Sequence, residues 1–169
     1  IAKRTVPIEP LLHGGGQELG RRAGTENVAG IVGFGKAAEL ARMELEQRRN
    51  HALDLRQRLE RGLDSLPNLT VFARQAERLP NTIQFGMSGF DGEALVMALD
   101  RLGFAVSSGS ACASGGNEPS PVLMAMGAGA TVARSAVRVS FGQGNTATHV
   151  EQLLDALRGL LASPPLSGR

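Results

Sequence analysis

Apolar residues recur at helical spacing through the first half of the chain. Leu45, Ala52, Leu55, Leu59, Leu63 and Leu66 fall three, four or seven positions apart, with Arg and Glu on the other faces. The pattern predicts a long helix from Thr25 or Asn27, either of which suits an N-cap, to about Leu66. It opens with Gly30, Gly33 and Gly35, a face kept small for close packing. Roughly 40 residues is long for a globular helix, so a bend or break is expected near Arg48 to Asn50. Pro67-Asn68 closes it. Ile1 to Ile8 reads as a short edge strand, and Leu69 to Ala73 and Thr82 to Met87 read as strands. Asp91 caps a helix over Gly92 to Leu102, stopped by Gly103. Phe104-Ala105-Val106 predicts a brief strand, Pro121 to Met126 a helical turn and Val137 to Phe141 a further strand. Thr146 or Thr148 starts a last amphipathic helix with Val150, Leu153, Leu154, Leu157, Leu160 and Leu161 inward. The fold class expected from this order is α+β, with helices packed on a mixed sheet.

Two stretches break the periodicity. His13 to Asn27 packs five glycines into Gly14 to Gly24, which rules out a stable helix and predicts a loop of unusual dihedrals. Ser107 to Gly116 sets the single cysteine, Cys112, among Ser, Gly and Ala. A cysteine used as core filling sits among Leu, Val and Ile. Local composition alone leaves two readings of Cys112, a linker with an incidental thiol or a working thiol on a loop.

Charge and composition narrow the classes. A net charge of +2, with Arg interleaved by Glu and Asp on one helix, gives no reason to expect nucleic acid. No apolar run approaches the roughly 20 residues of a membrane span. One cysteine excludes an internal disulfide and a Cys-x-x-Cys metal site, and fits a reducing, cytoplasmic setting. The chain starts at Ile1 and is expected to be a piece of a longer one. Neither glycine stretch is a nucleotide P-loop, since no Gly-Lys-Ser/Thr follows. Gly24-Thr25 at the mouth of the long helix could meet a phosphate, or Thr25 could simply cap it. Arg138, between Val137 and Val139, is either a solvated strand residue or a fork for a carboxylate. His51 and His149 read as surface residues, and His13 beside three glycines is ambiguous.

Several short segments, in order, carry a resemblance: His13-Gly14-Gly15-Gly16-Gln17-Glu18, Arg22-Ala23-Gly24-Thr25-Glu26-Asn27, Leu79-Pro80-Asn81-Thr82, Gly92-Glu93-Ala94-Leu95, Ser107 to Cys112, and Arg138-Val139-Ser140-Phe141-Gly142. Together they resemble the C-terminal part of the cysteine desulfurases, pyridoxal-phosphate enzymes of the class-V aminotransferase type. The resemblance implies the small C-terminal domain of a fold-type I pyridoxal-phosphate enzyme, preceded by the end of the large domain. Residues 1–26 would finish the large cofactor domain, 27–162 would form the long helix and small domain, and 163–169 a tail. It implies that Cys112 is the nucleophile that takes sulfur from L-cysteine as a persulfide, leaving L-alanine. Thr25 would reach the cofactor phosphate of the neighbouring subunit in a homodimer, and Arg138 would hold the substrate carboxylate. The implied partners are an iron–sulfur scaffold or another sulfur-acceptor protein, with a transient iron–sulfur contact at Cys112 that spacing here does not support.

The chain departs from the family at one point. The cofactor lysine follows a Ser-x-His motif in the family, and the only lysines here are Lys3 and Lys36, neither preceded by histidine. This chain alone is therefore expected neither to bind pyridoxal phosphate covalently nor to act on cysteine. Two other readings stay open, a stand-alone binding or redox-sensing thiol domain and a selenocysteine-lyase-like enzyme.

Overall fold

The computed structural model describes residues 5–109 and 118–162. The chain divides into two compact units, Ile1–Leu45 and Glu46–Arg169.

The first unit holds the glycine loop and helix α1 (Val28–Met43). A single 3-10 turn, Gln17–Gly20, interrupts the loop, with Glu18, Leu19 and Gly20 all at positive φ. Asn27, not Thr25, is the N-cap of α1, its side chain accepting from the Gly30 N–H at 3.0 Å. The long periodic stretch does break, at Glu44 rather than at Arg48 to Asn50. The Glu44 N–H closes α1 on the Leu40 carbonyl, and α2 (Leu45–Asp64) starts at the next residue. The reason lies in the pattern: the strict apolar stripe belongs to α2, whereas α1 buries none of its residues. Residues 5–8 form no strand, and no strand of this unit is described that could pair with them.

In the second unit, β1 (Leu69–Val71), β2 (Thr82–Met87), β3 (Ser107–Ser108) and β4 (Ala136–Ser140) form one sheet in the order β1-β2-β4-β3. Every pairing is antiparallel, which corrects the mixed sheet expected from the sequence. The helix α3 (Gly92–Arg101) carries β2 over to β3 in the same direction, but the two strands are not neighbours. Strand β4 fills the slot between them and runs antiparallel to both.

One sheet face packs on helices. Leu55, Leu59 and Leu63 of α2, Leu95 and Leu99 of α3, and Val150, Leu153, Leu154 and Leu157 of α6 (Ala147–Ala162) meet Ile83, Phe85, Met87, Val137 and Val139. Each apolar side chain of this size contributes about 1.5–3 kcal/mol when fully buried. Two short helices, α4 (Pro121–Ala125) and α5 (Ala130–Arg134), cover part of the other face through Leu123 and Ala133 against Phe72 and Ala136. Helix α5 has no sequence forecast; five residues are too few to show a period. Phe104 to Val106 is not a strand. It borders a cavity of about 480 Å³ that Val139, Phe141 and His149 also line, and ladder pairing begins only at Ser107. His51 is not a free surface residue: it is half-buried, with its Nε2 2.9 Å from the Asn145 carbonyl.

Candidate active site

Strand β4 organises the functional residues of the second unit. Its register sets Arg138 opposite Gln84 on one side and opposite Ser107 on the other. Strand alternation sends Val137 and Val139 into the core and Arg138 to the reverse face, where it is exposed. Part of that face is sealed. Gly86 lies so close to α5 that a Cβ there would stand 2.7 Å from the Val132 carbonyl oxygen. Gln84, Arg138 and Ser107 form the polar row beyond the seal.

Strand β3 leads directly to the cysteine loop. The Gly109 N–H donates to the Ala136 carbonyl at 2.7 Å, two residues before Arg138. A Cβ at Gly109 would meet the Ala136 Cβ at 2.5 Å and Gln84 Nε2 at 3.0 Å, so the chain leaves the sheet there as glycine or not at all. Cys112 follows three positions later and lies outside the described residues. The structure thus brings Arg138 together with the root of the loop. Sequence reasoning passed over Gln84 and Ser107 as neighbours of Arg138, although the alternation of Thr82 to Met87 already set Gln84 on the face opposite Ile83 and Phe85.

Thr25 belongs to the other unit. With Asn27 serving as cap, the Thr25 hydroxyl is released from that role, and Thr25 is exposed at the mouth of α1. The Arg22 guanidinium bends back to the same turn, donating through Nη1 to the carbonyls of Gly24, at 2.9 Å, and Thr25. In the first turn of α1, Val28 N–H donates to the Glu26 carbonyl and Gly30 N–H to Asn27, and no acidic residue follows the cap. A guanidinium, a hydroxyl and a helix N-terminus therefore share one exposed turn. Gly24, at φ +90, permits the reversal that sets them there. Arg22 escaped sequence reasoning as a separate candidate, though it stands in the same motif as Thr25. No group of three or more His, Cys, Asp or Glu side chains among the described residues could hold a metal ion.

The sequence profile of the aminotransferase class-V family matches residues 6–153, and the chain belongs to that family. It is 46% identical over 161 residues to a cysteine desulfurase of Gluconacetobacter diazotrophicus, covering 95% of this chain and 40% of the relative. Identity to a cysteine desulfurase of Cereibacter sphaeroides is 47% over 156 residues, covering 92% of this chain and 40% of that one. The X-ray structure of a NifS-like protein from Rickettsia africae superposes with a TM-score of 0.76 at 32% identity, over 93% of this chain and 41% of that chain. The small α+β architecture of fold-type I enzymes is thus the fold of this chain, which spans about 40% of the length of the relatives it matches.

The family implies dependence on pyridoxal phosphate. The residues present fit one end of that cofactor. Arg22, Thr25 and the α1 terminus suit a phosphate. The one described lysine, Lys36, is exposed on α1 and paired with Glu39 at 2.8 Å.

No described helix is long and apolar enough to cross a membrane.

Proposed function

We propose that this chain supplies the sulfur-accepting half of a cysteine desulfurase, with Cys112 as nucleophile, Arg138 as the substrate-carboxylate fork and Thr25 as a cofactor-phosphate ligand across a homodimer. The observation that carries this reading is the register of β4, which sets Arg138 opposite Ser107 while Gly109 is fastened to Ala136. A substrate whose carboxylate is gripped by the Arg138 guanidinium is then bound beside the root of the loop that carries the thiol. Guanidinium suits the task because its parallel N–H groups match both carboxylate oxygens.

The bound cofactor supplies an electron sink that makes the substrate C–S bond labile. The protein side of the step is nucleophilic. Cys112 must be a thiolate to react, so its proton leaves before attack. Its Sγ attacks the substrate sulfur, an S–S bond forms, the C–S bond breaks, and the electron pair of that bond stays with the substrate carbon. Cysteine and enzyme thiol become alanine and enzyme persulfide, balanced without an external oxidant or reductant. The persulfide sulfur is then available to a thiol acceptor, a scaffold for iron–sulfur assembly or a thio-modification enzyme. Gly and Ser on both sides of Cys112 impose few restrictions on the path of the loop. Covalent attachment of the cofactor falls to a lysine outside these 169 residues.

The reading is tested in the complete protein by steady-state alanine formation. Arg138→Gln is expected to raise KM for cysteine by about tenfold to a hundredfold, the worth of a hydrogen-bonded charge pair, while Cys112→Ser abolishes turnover. An unchanged KM in Arg138→Gln would remove the carboxylate role.

A further inference from the structure

Away from the cysteine loop, the second unit holds a group of arginines with too few counter-charges. A cavity of about 640 Å³ is lined by Arg49, Leu53 and Arg56 of α2 and by Ala76 to Pro80 of the β1–β2 connection. Glu60 Oε1 accepts from Arg78 Nη2 at 2.6 Å, and Arg56 Nε stands 3.7 Å from the same oxygen, too far for a hydrogen bond. Arg56 Nη1 turns instead to the Leu79 carbonyl at 2.6 Å. The side chains of Arg56, Arg78 and Glu60 are only 12–16% exposed. Arg56 Nε and both Nε and Nη1 of Arg78 are buried with no hydrogen-bond partner among the described residues.

Two guanidinium groups therefore leave water and share one carboxylate. Buried N–H groups are almost always paired, and an uncompensated charge in a low-dielectric setting is costly. Arg49 adds a third positive charge to the cavity wall and Glu77 one negative charge. With Glu60 included, three arginines face two carboxylates. Arg56 Nη2 and the Arg49 guanidinium make no hydrogen bond among the described residues, and they are the donors that a ligand in the cavity would meet. Carbonyl contacts from Arg56 anchor the β1–β2 connection to α2, but they leave this excess charge unmatched.

We infer that the cavity between α2 and the β1–β2 connection is a binding site for a small oxyanion, a phosphate- or carboxylate-bearing molecule held by Arg49 and Arg56, with the buried Arg78 guanidinium adding positive charge behind them. The site is separate from the substrate row: α2 packs on the sheet face that carries Ile83, Phe85, Val137 and Val139, whereas Arg138 lies on the reverse face.

The test titrates inorganic phosphate and, separately, succinate into the isotope-labelled full chain, following the Nε–H resonances of Arg49, Arg56 and Arg78. Sodium chloride at matched ionic strength is the reference. Saturable movement of these signals by at least one anion is expected, with affinity about tenfold weaker in Arg49→Gln. Arg49 is exposed on its helix, so that variant keeps the fold. Movement with phosphate alone assigns the site to phosphorylated ligands, and movement with both extends it to carboxylates. Signals that shift no more than in sodium chloride, or an affinity unchanged in Arg49→Gln, would overturn the assignment.

Discussion

Single residues decide where charge sits in this chain. Asp64 accepts both Nη groups of Arg74, and that hydrogen bonding, more than the Coulomb attraction, holds its carboxyl below the ordinary aspartate range. Both partners are about half exposed, so the pair is a marginal source of stability, and its titration is the better readout. The sign follows from the lowered value. The contribution is present above the unfolded carboxyl's pKa of about 3.9 and is lost as pH falls through the lower folded value. In Arg74→Gln the Asp64 midpoint, followed by carboxyl carbon chemical shift, should rise toward the ordinary value; a midpoint that stays put would break the assignment. At the active site the same scale separates what could be read in advance from what could not. Cys112 and Thr25 stood out by type and setting. Which of two neighbours caps α1 was not legible, because it is decided by the fit of the Asn27 side chain to the Gly30 N–H.

At the level of elements, the sheet works because close approaches are kept free of side chains. Gly92, the first residue of α3, lies under the end of α5. A Cβ there would stand 2.6 Å from the Arg134 carbonyl oxygen and 3.1 Å from that of Ala136. Backbone oxygens cannot rotate away as a side chain could, so Gly92→Ala should cost about 1–3 kcal/mol. Urea unfolding should show a lower midpoint at unchanged slope, and an unaltered midpoint would contradict the packing. The helices with a clear apolar stripe, α2 and α6, and the Asp91 cap of α3 were legible from the sequence because period and cap chemistry are local. Direction of pairing was not. Whether β2 and β3 adjoin depends on β4 entering between them, a long-range outcome that no local pattern encodes. The break falls at Glu44, four to six residues earlier than the pattern suggests, for a related reason: α1 carries exposed apolar residues that resemble a continuing stripe.

For the whole molecule, the sheet register converts two scattered sequence features, Arg138 and the Ser107-Ser108 strand that precedes the cysteine segment, into neighbours. The sequence offered each alone with a bland alternative: a strand arginine in solvent, a thiol in a linker. Side by side on one strand pair, Arg138 and Ser107 form the arrangement on which the proposed carboxylate and thiol roles rest. The fate of the sulfur is the most direct test of the proposed role of Cys112. The complete protein, loaded with its cofactor, is mixed with one equivalent of L-cysteine, and the Cys112 peptide is weighed by mass spectrometry while alanine is counted. The prediction is one alanine per sulfur gained, with the Cys112 peptide heavier by one sulfur atom and no alanine from Cys112→Ser. Alanine formed by Cys112→Ser at the wild-type rate, or sulfur found on no residue of this loop, would contradict it.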